Sequence, residues 1–506
     1  MPSRERSRTG GYFVLHWFLS VAFLGILAFH VGVYPPIALS VAVFAATGLY
    51  LVKRYRAHEA GFLVVWFFIT YALPFVHLVP YLWFDFDAEA PRVMWGMPVN
   101  PYMVDKSVVE LMALIGALGA VGFVIGQRLG GRHRGKHGWD DAGVERPAAG
   151  PSLTMPFFCV LVGVGVLLSW LYAPRETIFQ ARYTEGRAIS QDWNFGSIWM
   201  VSYIVLIWCL ADAVLDADRR RARLKKAILV AALLMVVGWL QLLRGDREAI
   251  PLAIASILMM VGWQRRGRAA VVRVRAWTRK SVVLGGALIV VLSYLVGAVR
   301  SSLAGMDWKS AAEVVADLWR EGVLGVESLF HGTWSAVLLT PLSVAGDYLT
   351  GSLRLKLGQD YLNYVLSLPP GFLADWLGYQ RPIDTWHGPA WEMRYGIGGT
   401  HAVVVPFMNF RAIGVVLVLA LWGYIVALCE KRVSSRRSVG NVALWGTLVM
   451  VAPHWFWYGD KYFINAMIIW YGTALLYRFA VERGRKVTLR LRTVDLAGSC
   501  ALRDGG

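Results

Sequence analysis

Apolar runs of about twenty residues recur along this chain, and about every second one ends on a cluster of Lys and Arg. Wound as a helix, such a run spans the hydrocarbon core of a bilayer, about 30 Å. Backbone polar groups find no water there, so the segment must satisfy its own hydrogen bonds. Composition agrees: 57% of the 506 residues are hydrophobic, 17% are charged and the mean hydropathy is +0.50. A soluble enzyme is excluded. The 23 Trp suit membrane–water interfaces. A net charge of +18 does not call for nucleic acid, because Lys and Arg collect in cytoplasmic loops and set orientation.

Reading the runs in order predicts spans over 11–31, 33–52 and 61–83, a fourth ending near Gly126, a fifth over 153–173 and a sixth ending near Asp216. The seventh and eighth cover 227–243 and 249–263, the ninth 281–299, and the last three 413–429, 441–457 and 462–479. Arg4, Arg6 and Arg8 precede the first run, and with no small-residue cleavage site after it that run reads as a retained span. Basic clusters at Lys53–Arg56, Arg128–Lys136, Arg219–Lys226, 264–280 and Lys431–Arg437 then all share one side. The expected fold is an all-α polytopic membrane protein with about twelve transmembrane helices and both termini cytoplasmic. It divides into helices 1–9 (1–299), a large outer loop (300–410), helices 10–12 (411–481) and a basic cytoplasmic tail (482–506). In a Gram-negative inner membrane the outer loop is periplasmic. Residues 329–344 are also apolar, but a span there would move Lys431–Arg437 outside, so they read as a periplasmic or re-entrant helix. Cys159, Cys209, Cys429 and Cys500 are too scattered for a disulfide framework or a metal cluster.

Between the seventh and eighth runs stands Arg244-Gly245-Asp246-Arg247-Glu248, four charges in five positions where the chain otherwise resembles membrane interior. Charge at such a place is expensive and points to function. Gly245 permits a sharp turn, and the Arg244 and Arg247 guanidinium forks match phosphate oxygens. The alternative is a hairpin tip whose charges pair with one another.

The outer loop holds the other candidates. Asp307 is placed to cap a helix over 308–321 with Ala311, Val314, Val315 and Leu318 on one face. Tyr361, Tyr364, Trp376, Tyr379, Trp386, Trp391 and Tyr395 offer faces for sugar rings, or an interfacial aromatic belt. Glu392 and Gly398-Gly399-Thr400-His401 follow, just before the tenth span. A histidine there suits proton transfer near neutral pH, or simply an interfacial hydrogen bond. His331 and His387 are rivals, and Asp85 with Asp87 forms a separate acidic pair.

The Arg-Gly-x-Arg element, the late outer loop and Gly-Gly-x-His followed by Asn409, Phe410 and Gly414 resemble Wzy-type polymerases, relatives of the O-antigen ligases. Ala402 stands where the ligase-like pattern has Asn, and Arg411 where a glycine is expected. The resemblance implies a metal-independent, cofactor-free, inverting glycosyltransferase acting on undecaprenyl-pyrophosphate-linked oligosaccharides. It implies pyrophosphate contacts from Arg244, Arg247 and Arg300, a base at His401 or Glu392, and sugar contacts from Trp386, Trp391 and Tyr395. A flippase and a chain-length regulator are the implied protein partners.

Two other classes fit less well. A glycosyltransferase using lipid-phosphate sugars should carry acids right after the first span, whereas Asp85 and Asp87 follow the third. A lipid-linked oligosaccharide flippase should carry cations at mid-depth in several spans, and the first six have almost none.

Overall fold

The computed structural model describes residues 2–57, 60–82, 105–131, 153–172, 198–215, 335–367, 400–435 and 438–501, with isolated positions between them. All regular structure among these residues is helical. The helices are α1 (Pro2–Val31), α2 (Ile37–Arg56), α3 (Phe62–Ala72), α4 (Lys106–Gly131), α5 (Met155–Tyr172) and α6 (Ile198–Leu215). After them come α7 (Leu339–Leu349), α8 (Gln359–Leu366), α9 (Val404–Ser435), α10 (Val439–Tyr458) and α11 (Asp460–Ala501). Five helical stretches among the described residues are long and apolar enough to cross a membrane: Val14–Val31, Ile37–Arg56, Lys106–Gly131, Val404–Val433 and Tyr462–Arg483. The chain therefore has the build of an α-helical membrane protein. Most of the seventh, eighth and ninth runs lies outside the described residues.

Contacts divide the chain into two compact units. The first takes Met1–Asp141, Val290–Ser434 and Val451–Phe463. At its centre is α4, packed by α1, α2, α3 and α7 and buried along nearly its whole length. In lipid there is no hydrophobic drive between helices, so close approach must supply the stability. Glycines at a spacing of four provide it. A side chain at Gly122, Gly126 or Gly130 would meet the α9 backbone at Val416, Ala420 and Tyr424 respectively. Gly423 of α9 meets Phe123 of α4 in return. Both series rise together, so the two helices run parallel.

One end of this unit gathers polar groups. Arg54, at the end of α2, donates to Gln127 Oε1 of α4 at 2.5 Å. Arg54 and Arg128 both lie over the Tyr50 ring. Glu430 of α9 accepts the Leu63 N–H at 2.8 Å and so caps the first turn of α3. A side chain at Gly61 would strike Glu430, which explains a glycine before that turn. The basic ends of α2, α4 and α9 thus lie together.

The third run is not one straight helix. α3 stops at Ala72 and continues as 3₁₀ turns over Leu73–Leu78 and Pro80–Leu82. Pro74 and Pro80 explain this, since neither has an N–H for the α-helical ladder. α7 has 11 residues, about 16 Å, and follows directly on a 3₁₀ turn over Ser335–Leu338. α9 also breaks, at Arg411 (φ 58°, ψ −152°). The basic tail continues the helix of α11 as far as Ala501.

The second unit takes Ala142–Ile289, Ser435–Met450 and Ile464–Gly506. In it α5 packs on α6. Asp212 of α6 is fully buried; it accepts the Leu153 N–H at 3.1 Å and the Tyr477 hydroxyl at 2.5 Å. Lys226 lies 3.9 Å from it and donates to the Leu153 carbonyl. This buried pair ties the starts of α5 and of the seventh run to the end of α6.

Candidate functional site

The site is built where two helices of the first unit end. Pro74 leaves the Thr70 carbonyl without its i+4 donor. The Trp457 indole N–H fills that carbonyl at 3.0 Å, and His401 Nε2 lies 3.1 Å from the next one, Tyr71. α10 closes at Gly459 (φ 102°), where only glycine is comfortable. Its last carbonyls are met by the incoming loop: Thr400 and His401 N–H donate to Trp457 O at 2.8 and 3.0 Å, and Ala402 N–H to Phe456 O at 2.8 Å. Residues 400–402 thus plug the ends of α3 and α10 at once.

His401 is fully buried and packs on Tyr71 and Phe75, with ring centroids 5.1 and 4.9 Å away. Burial pushes its pKa down to about 4, against the bond to the Tyr71 carbonyl, which pulls it up. The ring is neutral at pH 7, with Nε2 as donor and Nδ1 accepting the Val403 N–H at 3.4 Å. Both nitrogens are engaged by backbone. In this arrangement neither can take a proton from a substrate hydroxyl.

Asn409 is the second part. Its Oδ1 accepts the Gly358 N–H at 2.9 Å and the Asp360 N–H at 3.4 Å, at the start of α8. Its Nδ2 donates to Asp360 Oδ2 at 2.8 Å and to Val405 O at 2.9 Å. All four bonds leave a buried amide satisfied. Asp360 is buried as well and pairs with Lys356 at 2.8 Å. Gly358 (φ 90°) makes the turn into α8. Asn409 therefore fastens α8 to the first turns of α9.

Beside this joint lies a buried acid. Asp460 accepts the Trp455 indole N–H at 2.7 Å, with Trp422 and Tyr361 also directed at it. Burial pushes its pKa up to about 6, against the polar groups around it, the Trp455 N–H first. Burial and the nearby Asp460 and Asp360 drive the Tyr361 hydroxyl far above its usual range, so Tyr361 stays a neutral donor.

Of the residues singled out in the sequence, the structure describes His401, Asn409 and Gly414: His401 sits at the ends of α3 and α10, Asn409 bonds the start of α8, and Gly414 lies one turn after Phe410 in α9. Tyr364 is buried, Tyr361 stacks on Phe410, and Trp376 is exposed. Arg244, Arg247, Arg300, Trp386, Trp391, Glu392 and Tyr395 lie outside the described residues, as do Asp85, Asp87, His331 and His387. Of the helix expected over 308–321, Glu313, Ala316, Asp317 and Arg320 are described and helical, with Asp317 and Arg320 paired at 2.6 Å. Sequence reading missed Lys356, Asp360 and Asp460. An acid one residue past a Gly after an aromatic run was the available signal for Asp460. Set against family models, characterised proteins and solved structures, the chain matches none.

Proposed function

We propose that the protein is a Wzy-type polysaccharide polymerase of a bacterial inner membrane, with about twelve spans and its site on the periplasmic face. Its substrate is an oligosaccharide repeat unit on undecaprenyl pyrophosphate. An acceptor hydroxyl on the next unit attacks the anomeric carbon of the growing chain. The bond from that carbon to the pyrophosphate oxygen breaks, and lipid pyrophosphate leaves with the electron pair. Arg244, Arg247 and Arg300 face the charge that builds on the leaving group. Trp386, Trp391 and Tyr395 hold the sugars. Glu392 takes the hydroxyl proton, because both nitrogens of His401 are occupied by backbone. His401 and Asn409 then set the loop that carries Glu392.

The observation that supports this reading is the joint itself. The residues that resemble the family's loop-to-span motif make two sets of buried hydrogen bonds, Asn409 to the start of α8 and residues 400–402 to the end of α10. A simple connector has no use for such bonds.

The test is made in a deletion strain, by measuring polymer per unit of membrane-inserted protein. Loss of long chains on deletion, restored by the parent gene, is the expected result. Arg244→Lys or Arg247→Lys should fail nearly as badly as the alanine variants, because an ammonium lacks the planar fork. Each tenfold loss corresponds to about 1.4 kcal/mol of transition-state stabilisation. Lysine variants that polymerise normally leave the motif a hairpin ion pair, and undiminished chain length on deletion removes the polymerase reading.

A further inference from the structure

Arg411 combines several features that each oppose folding. Its backbone (φ 58°, ψ −152°) lies in a region open essentially to glycine, worth about 1–3 kcal/mol of strain. It stands at the start of the longer helical run of α9, where a cation has the wrong sign for the helix dipole. Among the described residues it has no carboxylate partner. Its guanidinium lies over the rings of Tyr348 and Phe407, at 5.1 and 5.8 Å. Nη2 donates to the Leu353 carbonyl at 2.8 Å, while Nη1 is enclosed with no acceptor. A buried donor left unmet costs about 1–3 kcal/mol. A cation without a counter-ion, in a chain built to sit in lipid, is expensive again.

The surroundings indicate what would offset these terms. Phe410 and Ile413, on either side of Arg411, are exposed apolar residues. The strap that Arg411 bonds to carries exposed Leu355 and Leu357, the latter 75% exposed. Arg354, next to Leu353, is an exposed second cation, whereas Lys356 is neutralised by Asp360. α8 follows with Asp360 and Tyr364 turned inward and Leu362, Val365 and Leu366 outward. An apolar surface carrying uncompensated guanidinium groups is the pattern of a bilayer interface at headgroup level.

We propose that Arg411 binds the phosphate of an amphiphile, with the apolar tail running over Phe410, Ile413, Leu355 and Leu357. The phosphate oxygens supply the acceptors that the guanidinium lacks and the negative charge that the head of the helix favours. Only the identity of the natural ligand rests on the polymerase reading. On that reading it is a polyprenyl pyrophosphate; otherwise the same chemistry is that of an anionic phospholipid.

The experiment uses the full-length protein in detergent and a fluorescent farnesyl pyrophosphate as probe. Arg411→Gly removes the guanidinium and places at 411 the residue that suits its backbone. The expected result is a probe affinity at least tenfold weaker, with a melting temperature equal to or above the parent's. Farnesol should not compete. Competition by farnesyl pyrophosphate well above that of phosphatidylglycerol supports the polyprenyl ligand, and the reverse order supports the phospholipid. Inorganic pyrophosphate competing as well as its farnesyl ester overturns the tail contacts. Unchanged probe affinity in Arg411→Gly overturns the proposal. So does a fall in melting temperature that accompanies the loss, since Arg411 would then be a structural residue. If the deletion strain makes normal polymer while Arg411→Gly loses the probe, the polymerase reading fails and the site stands.

Discussion

At the residue scale, His401 and Asp460 oppose each other in their response to pH. Asp460 has an ordinary carboxyl pKa of 3.8 and is raised by burial to about 6 in the folded protein. Between those values the folded state holds a proton that the unfolded state has lost, so stability falls as pH rises. His401 is lowered from 6.5 to about 4. Between those values the unfolded state holds the extra proton, so stability rises with pH. Each effect is on the order of 3 kcal/mol over its full window, and across pH 4 to 6 they nearly cancel. Asp460→Asn should therefore be more stable than the parent at pH 7 and should lose stability as pH falls from about 6.5 to 4. His401→Gln should show the opposite slope, losing stability as pH rises from about 4 to 6. Melting of the purified variants across this range checks both. Slopes of the same sign in the two variants would refute the assignment.

At the element scale, the contact of α4 with α9 is the test of how this fold is held. Gly126→Leu drives a side chain into the Ala420 carbonyl, backbone that cannot step aside. The expected loss is about 1–3 kcal/mol or more, read as a melting temperature several degrees lower and less protein in the membrane. Gly163→Ala in α5 meets nothing within 4 Å and should be neutral or gain up to about 1 kcal/mol from helix propensity. Comparable losses in both would show that α4–α9 packing is not special. The long described helices were legible from apolar runs and basic ends, because hydropathy reports length and polarity directly. The breaks inside them were legible only in part. Pro74 and Pro80 stood in the third run, yet its unbroken hydropathy read as one span. At Arg411 the one hint was the glycine expected there from the resemblance; the break goes with a bond to Leu353, which lies 58 residues away. Asp460 reads as an ordinary first-turn acid; its burial appears only in the fold, where Trp422 and Tyr361 come to it from distant parts of the chain. The tail reads as a basic cytoplasmic segment, but Lys and Arg are good helix formers and no proline interrupts α11.

At the scale of the whole molecule, the parallel packing of α4 and α9 constrains the topology. Gly122, Gly126 and Gly130 meet Val416, Ala420 and Tyr424 in the same order. Two spans in the same direction require an odd number of crossings in the chain between them. The sequence reading has five there, over 153–299, which satisfies this parity. Counting the apolar stretch at 329–344 as a span makes six, and α9 would then run antiparallel to α4. The clustering of Arg54, Gln127, Arg128 and Glu430 places the ends of α2, α4 and α9 on one side, which the positive-inside rule predicts to be cytoplasmic. The start of α9, with its joint to α8, then faces the opposite side. Single cysteines in the full-length chain, after alanine replacement of the native four, test this directly. Ser352→Cys, beside α7, should react with a membrane-impermeant maleimide on intact cells once the outer membrane is opened. Arg432→Cys should react only after the inner membrane is broken. Protection of Ser352→Cys, with Arg432→Cys labelled from outside, would invert the molecule. It would put the proposed site on the cytoplasmic face, where a polymerase of exported repeat units has no substrate.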